Sequence, residues 1–269
     1  MQRRIIALSA VAAAAVIAAG CSSSKDSSSS GSAPAGAGGG SPSAAVSGTV
    51  TVFAAASLKE AFTTLAKPFE TDHPGSSVKL SFGASSDLAE QINQGAPADV
   101  FASASPKNMQ QVISAGGAST STTFVKNVME VAVPPSNPAN VASVTDLAKS
   151  SVKVALCEPQ VPCGTVAAEV FKNANITVKP VTLEPDVKST LSKVELNEVD
   201  AGMVYVTDVR AAGSKVKGVV IPDNINASTE YPIAALTKAP NSSAAQAFVD
   251  LVLSPAGQSV LTADGFQKP

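Results

Sequence analysis

The sequence predicts an α/β protein with largely parallel strands, and three observations carry that reading. Short β-branched runs alternate with stretches whose apolar residues recur at helical spacing. The handover from strand to helix follows one design four times, near Ser57, Ser85, Cys163 and Val187: a strand, a tight turn, then a helix start. A longer apolar run, Val125 to Val133, stops at Pro134-Pro135, where it can carry the chain from one lobe into a second.

Each element follows from local pattern. Thr49 to Leu65 reads TVTVFAAASLKEAFTTL: Val50, Val52 and Phe53 are strand-like, and Leu58, Ala61, Phe62 and Leu65 share one helical face. Pro68 to Ser76 reads as the helix end and turn. Val78 to Phe82 is a second strand, followed by Gly83, Ala84, Ser85 and Ser86 and a helix through Leu88 and Ile92. Gly95 to Asp99 breaks that helix, Val100 to Ala102 reads as a buried strand, and Asn108 to Ala115 as a helix. In the second half, Val152 to Leu156 is a strand, Pro162 opens a helix through Val170 and Phe171, and Val178 to Leu183 is another strand. A helix containing Leu191 and Val194 follows, then a strand from Asp200 to Val206 whose end presents Tyr205. Tyr231-Pro232 and Ile233 to Leu236 read as the return crossing, and Ser243 to Leu253 as a terminal helix, with Gly257 to Leu261 a possible extension. No repeat of solenoid period is present.

The ends and the composition narrow the function. Arg3 and Arg4 precede an apolar run from Ile5 to Ala19, a secretory signal over residues 1–20. Cys21 directly after Ala18-Ala19-Gly20 resembles a bacterial lipobox, in which the thiol is lipidated, although Ala18 stands where Leu, Val or Ile is usual. The alternative is an ordinary signal with an incidental cysteine. Residues 21–46, nearly all Ser, Gly, Ala and Pro, read as a flexible tether. Together they place a globular body on the outer face of the cell membrane. Removing Arg3 and Arg4 from 19 basic residues leaves 17 against 21 acidic ones. With no basic run, no tryptophan and few aromatics, nucleic acid is not a partner. An anion would have to be attracted locally, because the net charge repels it.

Outside the cytoplasm, Cys157 and Cys163 are best read as a disulfide closing CEPQVPC. A metal centre is disfavoured: there is no CxxC, and the single histidine, His73, lies in a turn-like HPG.

Helix starts leave N–H groups unpaired at the positive end of the helix dipole, which makes them anion seats. For Ser57 the plainer reading is a cap of its own helix. Two pairs facing across a cleft would instead form a nest of donors at the carboxyl ends of the strands. Tyr205 reads equally as a core residue with a wet tip. Asp99 and Asp208 are expected to pin turns or cap helices, and Lys59 and Lys188 to be solvated helix faces.

The motifs FAAASLKEAF at 53–62, FGASSDLAEQI at 82–92, GAPADVFASAS at 95–105, VPCGTVAAEVF at 161–171, PDVKSTL at 185–191 and AGMVYVTD at 201–208 resemble the molybdate-binding proteins of ABC importers. The resemblance runs in order from Thr49 to Phe266. It implies a two-lobed type II periplasmic binding protein fold that closes over its ligand. Lobe 1 is expected at 47–132 and 233–269, and lobe 2 at 133–232. It further implies an oxyanion held by the hydroxyl and amide of Ser57 and of Ser85, the amides of Cys163 and Val187, and the phenol of Tyr205. Cys163 stands where the family often has alanine and so should act through its backbone. Ser105 replaces the family's usual Asp, with no effect on binding expected. The function implied is a non-enzymatic, monomeric receptor that delivers molybdate, and tungstate with it, to an ABC permease. It has no cofactor and no protein side chain bonded directly to the metal. Sulfate or another small oxyanion is the nearer alternative. A secreted serine hydrolase would need a base, and there is no G-x-S-x-G; the tetrad from Ser150 to Lys153 fits S-x-x-K by spacing alone. A ferric-ion binder usually needs adjacent tyrosines, and Tyr205 and Tyr231 are far apart in the chain.

Overall fold

The structure, a computed structural model, describes residues 46–269. The expected signal and Cys21 lie outside the described residues, as does the tether up to residue 45. The body is a sheet of nine strands flanked by eight α-helices. In chain order the elements are β1 (Gly48–Ala55), α1 (Lys59–Asp72), β2 (Ser76–Gly83), α2 (Ser85–Asn93), β3 (Val100–Ala102), α3 (Pro106–Ser114) and β4 (Thr122–Val133). There follow β5 (Val154–Cys157), α4 (Pro162–Asn173), β6 (Thr182–Glu184), α5 (Val187–Glu195), β7 (Ala201–Tyr205), α6 (Val206–Ala212) and β8 (Lys217–Val220). The last elements are β9 (Ser228–Ala235), α7 (Ser242–Leu253) and α8 (Pro255–Asp264).

The strand order is β2-β1-β3-β9-β4-β7-β5-β6, with β8 also on β4. The long strand β4 divides it. Residues 122–128 of β4 pair with β9 in the first half-sheet, and residues 129–133 pair with β7 and β8 in the second. Two lobes therefore meet at continuous strands, the arrangement of a two-lobed type II binding fold. The change of partner falls between Val128 and Met129, and β9 joins the first half-sheet from Ser228 onward. By strand pairing the expected boundaries, 132/133 and 232/233, lie a few residues late. The expectation of largely parallel strands also needs correction. Pairs β1–β2, β1–β3, β5–β6 and β5–β7 are parallel, but β3–β9, β4–β9, β4–β7 and β4–β8 are antiparallel. The crossing strands run back through the sheet, and each reverses direction against its neighbours.

Packing explains the elements. In β1 the period of two sends Val50, Val52 and Ala54 into one core and Phe53 into the other. The first core holds Phe62, Phe69, Phe124 and Phe248, whose rings stack edge-on or tilted at centroid distances of 5.5–6.2 Å. The second half-sheet has its own core, around Val131, Val154, Val170, Val194 and Met203.

Three local expectations changed. Helix α1 runs on past Pro68 to Asp72, because buried Phe69 stacks on Phe248 and His73 and holds the last turn despite the missing N–H. The strand expected at 178–183 pairs only over Thr182–Glu184, since Pro180 cannot donate to a ladder. The strand expected through Val206 ends at Tyr205, where α6 begins.

Candidate functional site

Five strand-to-helix turns converge at the junction of the lobes. Ser57 sits in a short 3-10 turn, Ala56–Leu58, between β1 and α1; Ser85 is the first residue of α2 after β2. Cys163 is the second residue of α4, Val187 the first of α5, and Tyr205 the last of β7 and the N-cap of α6. All five are at most 4% exposed and line one cavity. Its volume is about 20 Å³. A single water needs roughly 10–15 Å³, so the space suits one small ion.

The cavity is rich in donors. The N–H groups of Ser57, Ser85, Cys163 and Val187 lie in first turns, where no intrahelical partner exists, and none donates to another described residue. Small residues, Ala55, Gly83 and Ala104 among them, let the backbone line the walls. At Gly164 the approach is closer still. A Cβ there would meet the carbonyl oxygen of Glu158 at 2.0 Å, so only glycine lets α4 start beside the loop that carries Cys163. Cys163 and Cys157 form a disulfide across that loop.

The hydroxyl protons can be followed one by one. Ser85 Oγ accepts the N–H of Ala104 at 2.8 Å, which leaves its own proton free to donate. Ser57 Oγ lies 2.8 Å from the phenol oxygen of Tyr231. Asn127 Nδ2 donates to Thr207 Oγ1 at 2.8 Å and, at a longer 3.4 Å, to the Tyr231 oxygen. The amide is oriented by the Val128 N–H on its Oδ1 at 3.1 Å. Either oxygen can donate in the Ser57–Tyr231 pair; when Tyr231 donates, the Ser57 proton is left for the cavity. Tyr205 is the extreme case: its hydroxyl is enclosed beside the Tyr231 phenol, with no hydrogen bond of good geometry to any described residue. Burial first, then the nearby Tyr231 phenol and Asp208 carboxylate, push it well above the ordinary tyrosine value, so it stays a neutral O–H.

Among the described residues no cation lines the cavity, and the one charged lining residue is Asp186, whose carboxylate is occupied in capping α5: Oδ1 accepts the N–H groups of Lys188 and Ser189 at 2.8 and 2.9 Å. Lys59 is exposed. Lys188 departs from expectation, because it is partly buried and pairs with Glu60 and Asp208. Asp208 caps α6 by accepting the Tyr205 N–H at 3.1 Å, and Asp99 ties Thr51 and Asn241 together through their N–H groups. Ser105 is the N-cap residue of α3 and does not line the cavity. His73 follows α1 and stacks on Phe69. The 14 residues of α1 separate it from Ser57 by roughly 20 Å, so it cannot serve as a base there. Ser150 and Lys153 are exposed between a 3-10 turn and β5, away from the cavity lining. Tyr231 and Asn127, which position Ser57, carried no motif in the sequence, and Thr207 lies within AGMVYVTD but was given no role there. The buried alternation of Thr229 and Tyr231 against exposed Ser228 and Glu230 was the one available signal.

The family model for bacterial extracellular solute-binding proteins matches residues 50–267, and the chain belongs to that class. Within it, the molybdate-binding protein ModA of Mycobacterium tuberculosis (strain ATCC 25618 / H37Rv) is 38% identical over 222 residues, covering 82% of this chain and 85% of that protein. The chain is a member of the ModA family. Among solved structures, the periplasmic molybdate-binding protein of Azotobacter vinelandii has a TM-score of 0.72 at 21% identity, covering 82% of this chain and 99% of that one. The sulfate-binding protein SubI of Mycobacterium tuberculosis H37Rv has a TM-score of 0.71 at 18% identity, covering 82% and 86%. At those identities the likeness shows the fold, and the fold does not choose between anions.

Proposed function

We propose that this chain captures a tetrahedral oxyanion, molybdate and with it tungstate, and delivers it to an ABC permease. It works as a monomer from an extracytoplasmic position, tethered through a lipid on Cys21. The observation that carries the reading is the Tyr205 hydroxyl, a neutral donor enclosed without a partner at the wall of an ion-sized cavity. Leaving such a group unpaired costs about 1–3 kcal/mol, which an incoming acceptor recovers. The free amides of Ser57, Ser85, Cys163 and Val187 and the two serine hydroxyls point to the same kind of guest. A dianion leaves water only if its oxygens gain donors elsewhere. Donors without a fixed countercharge meet that need and still allow release.

The donor set also discriminates. An anion that keeps a proton, such as hydrogen phosphate, brings a donor into a cavity of donors and is rejected. Sulfate is fully ionised, and only the size of the closed cavity stands against it. Titration calorimetry with molybdate, tungstate, sulfate and phosphate tests the reading. Molybdate and tungstate are expected to bind tightly, sulfate more weakly and phosphate not at all. Silence with molybdate, or tighter binding of phosphate, would overturn it.

A further inference from the structure

Three charged residues outside the cavity sit beside three of its turns. Glu60 follows Ser57 by three positions, Lys188 follows Val187 by one, and Asp208 follows Tyr205 by three. Lys188 Nζ lies 2.9 Å from Glu60 Oε2 and 3.0 Å from Asp208 Oδ1. The other Asp208 oxygen accepts the Tyr205 N–H. Glu60 is on α1 in the first lobe, and Lys188 and Asp208 are on α5 and α6 in the second. Of the six ion pairs among the described residues, Lys188–Glu60 alone joins the lobes.

The geometry points to a closure latch: the Glu60–Lys188–Asp208 relay holds the Ser57, Val187 and Tyr205 turns in register across the cleft and sets how fast a bound oxyanion leaves. The inference rests on the oxyanion reading for its ligand, and the three are positioning residues that do not line the cavity. Burial assigns their roles. Asp208 has a fully buried side chain, and a buried carboxylate without its cation is strongly destabilising, so Lys188–Asp208 is the permanent half within the second lobe. It aims an ammonium at the first lobe. The Glu60 side chain is 42% exposed and is the half that can separate into water when the lobes part. A pair of this exposure is worth about 1 kcal/mol, about fivefold in a rate.

The test compares the wild-type chain with Glu60→Gln and with Lys188→Arg, which keeps both ion pairs. The chain has no tryptophan and two tyrosines, Tyr205 and Tyr231, both at the site, so tyrosine fluorescence can follow molybdate in stopped flow. In Glu60→Gln the dissociation rate should rise about fivefold with association nearly unchanged, while Lys188→Arg stays near wild type. Raising salt from about 0.05 to about 0.5 M should speed wild-type dissociation and bring it towards that of Glu60→Gln, because screening removes the same pair. Without any oxyanion, amide exchange over 56–62 and 206–212 should be faster in Glu60→Gln than in wild type. Unchanged dissociation, salt response and exchange in a normally melting Glu60→Gln protein would overturn the latch. If wild type binds no oxyanion the functional reading fails, and the exchange comparison still decides the latch.

Discussion

Tyr205→Phe separates a binding residue from a packing residue by the sign of its effect on stability. The phenol is 1% exposed and its hydroxyl has no partner among the described residues, whereas the ring packs edge-on to Tyr231 at 6.3 Å. Phenylalanine keeps the ring and deletes only the orphan oxygen. An unsatisfied buried hydroxyl costs about 1–3 kcal/mol, so its removal should leave the ligand-free protein as stable as before or more so. For a body of this size, about 1 kcal/mol corresponds to roughly 2–4 °C in Tm. A water admitted to an opened cleft would satisfy the hydroxyl and bring the gain towards zero, but would not make it a loss. The bound state behaves oppositely. A hydrogen bond to a charged acceptor is worth about 1.5–3 kcal/mol, so molybdate affinity should fall roughly 10- to 150-fold. Thermal unfolding without ligand and calorimetry with it read the two halves separately. A Tm lowered by several degrees with unchanged affinity would make Tyr205 a core residue and refute the reasoning.

The remaining predictions concern the other donors. Ser57→Ala should weaken molybdate binding by about 1.5–3 kcal/mol by leaving an oxyanion oxygen unpaired, and unchanged affinity in calorimetry would remove Ser57 from the site. Tyr231→Phe should cost less, about 0.5–1.5 kcal/mol, since Ser57 keeps its proton and loses only the bond that orients it. Replacing Cys157 and Cys163 together by alanine should lower stability by about 2 kcal/mol in denaturant titration yet leave affinity within a few-fold, because the proposed contribution of Cys163 is its N–H and not its sulfur. A hundredfold loss of affinity in that variant would show that the loop, and not the helix start alone, places the amide.

Much of this was legible in the chain. Each turn of the cavity joins a short buried strand to a helix of regular apolar spacing, and both patterns are local, so Ser57, Ser85, Cys163 and Val187 could be placed at helix starts. What stayed hidden depends on distant partners. Strands β4 and β9 were legible as crossings from Val125 to Val133 and from Ile233 to Leu236, but their polar beginnings at Thr122 and Ser228 and their antiparallel direction show only in their pairing. Strand β8 is an edge strand with Val220 exposed, and its sequence carries no core signal. Tyr231 and Asn127 reach Ser57 from 174 and 70 positions away, the second through Tyr231. Lys188 looked like a solvated helix face because its two acidic partners lie 128 positions before it and 20 after.

The most direct test of the central claim is a crystal of the protein grown with tungstate, with the heavy atom located by its anomalous signal. A single peak is expected inside the cavity, its oxygens within hydrogen-bond reach of the Ser57, Ser85 and Tyr205 hydroxyls and of the Cys163 and Val187 amides, with no lysine or arginine touching it. A peak elsewhere on the molecule, or one held by a cation in place of those neutral groups, would contradict it.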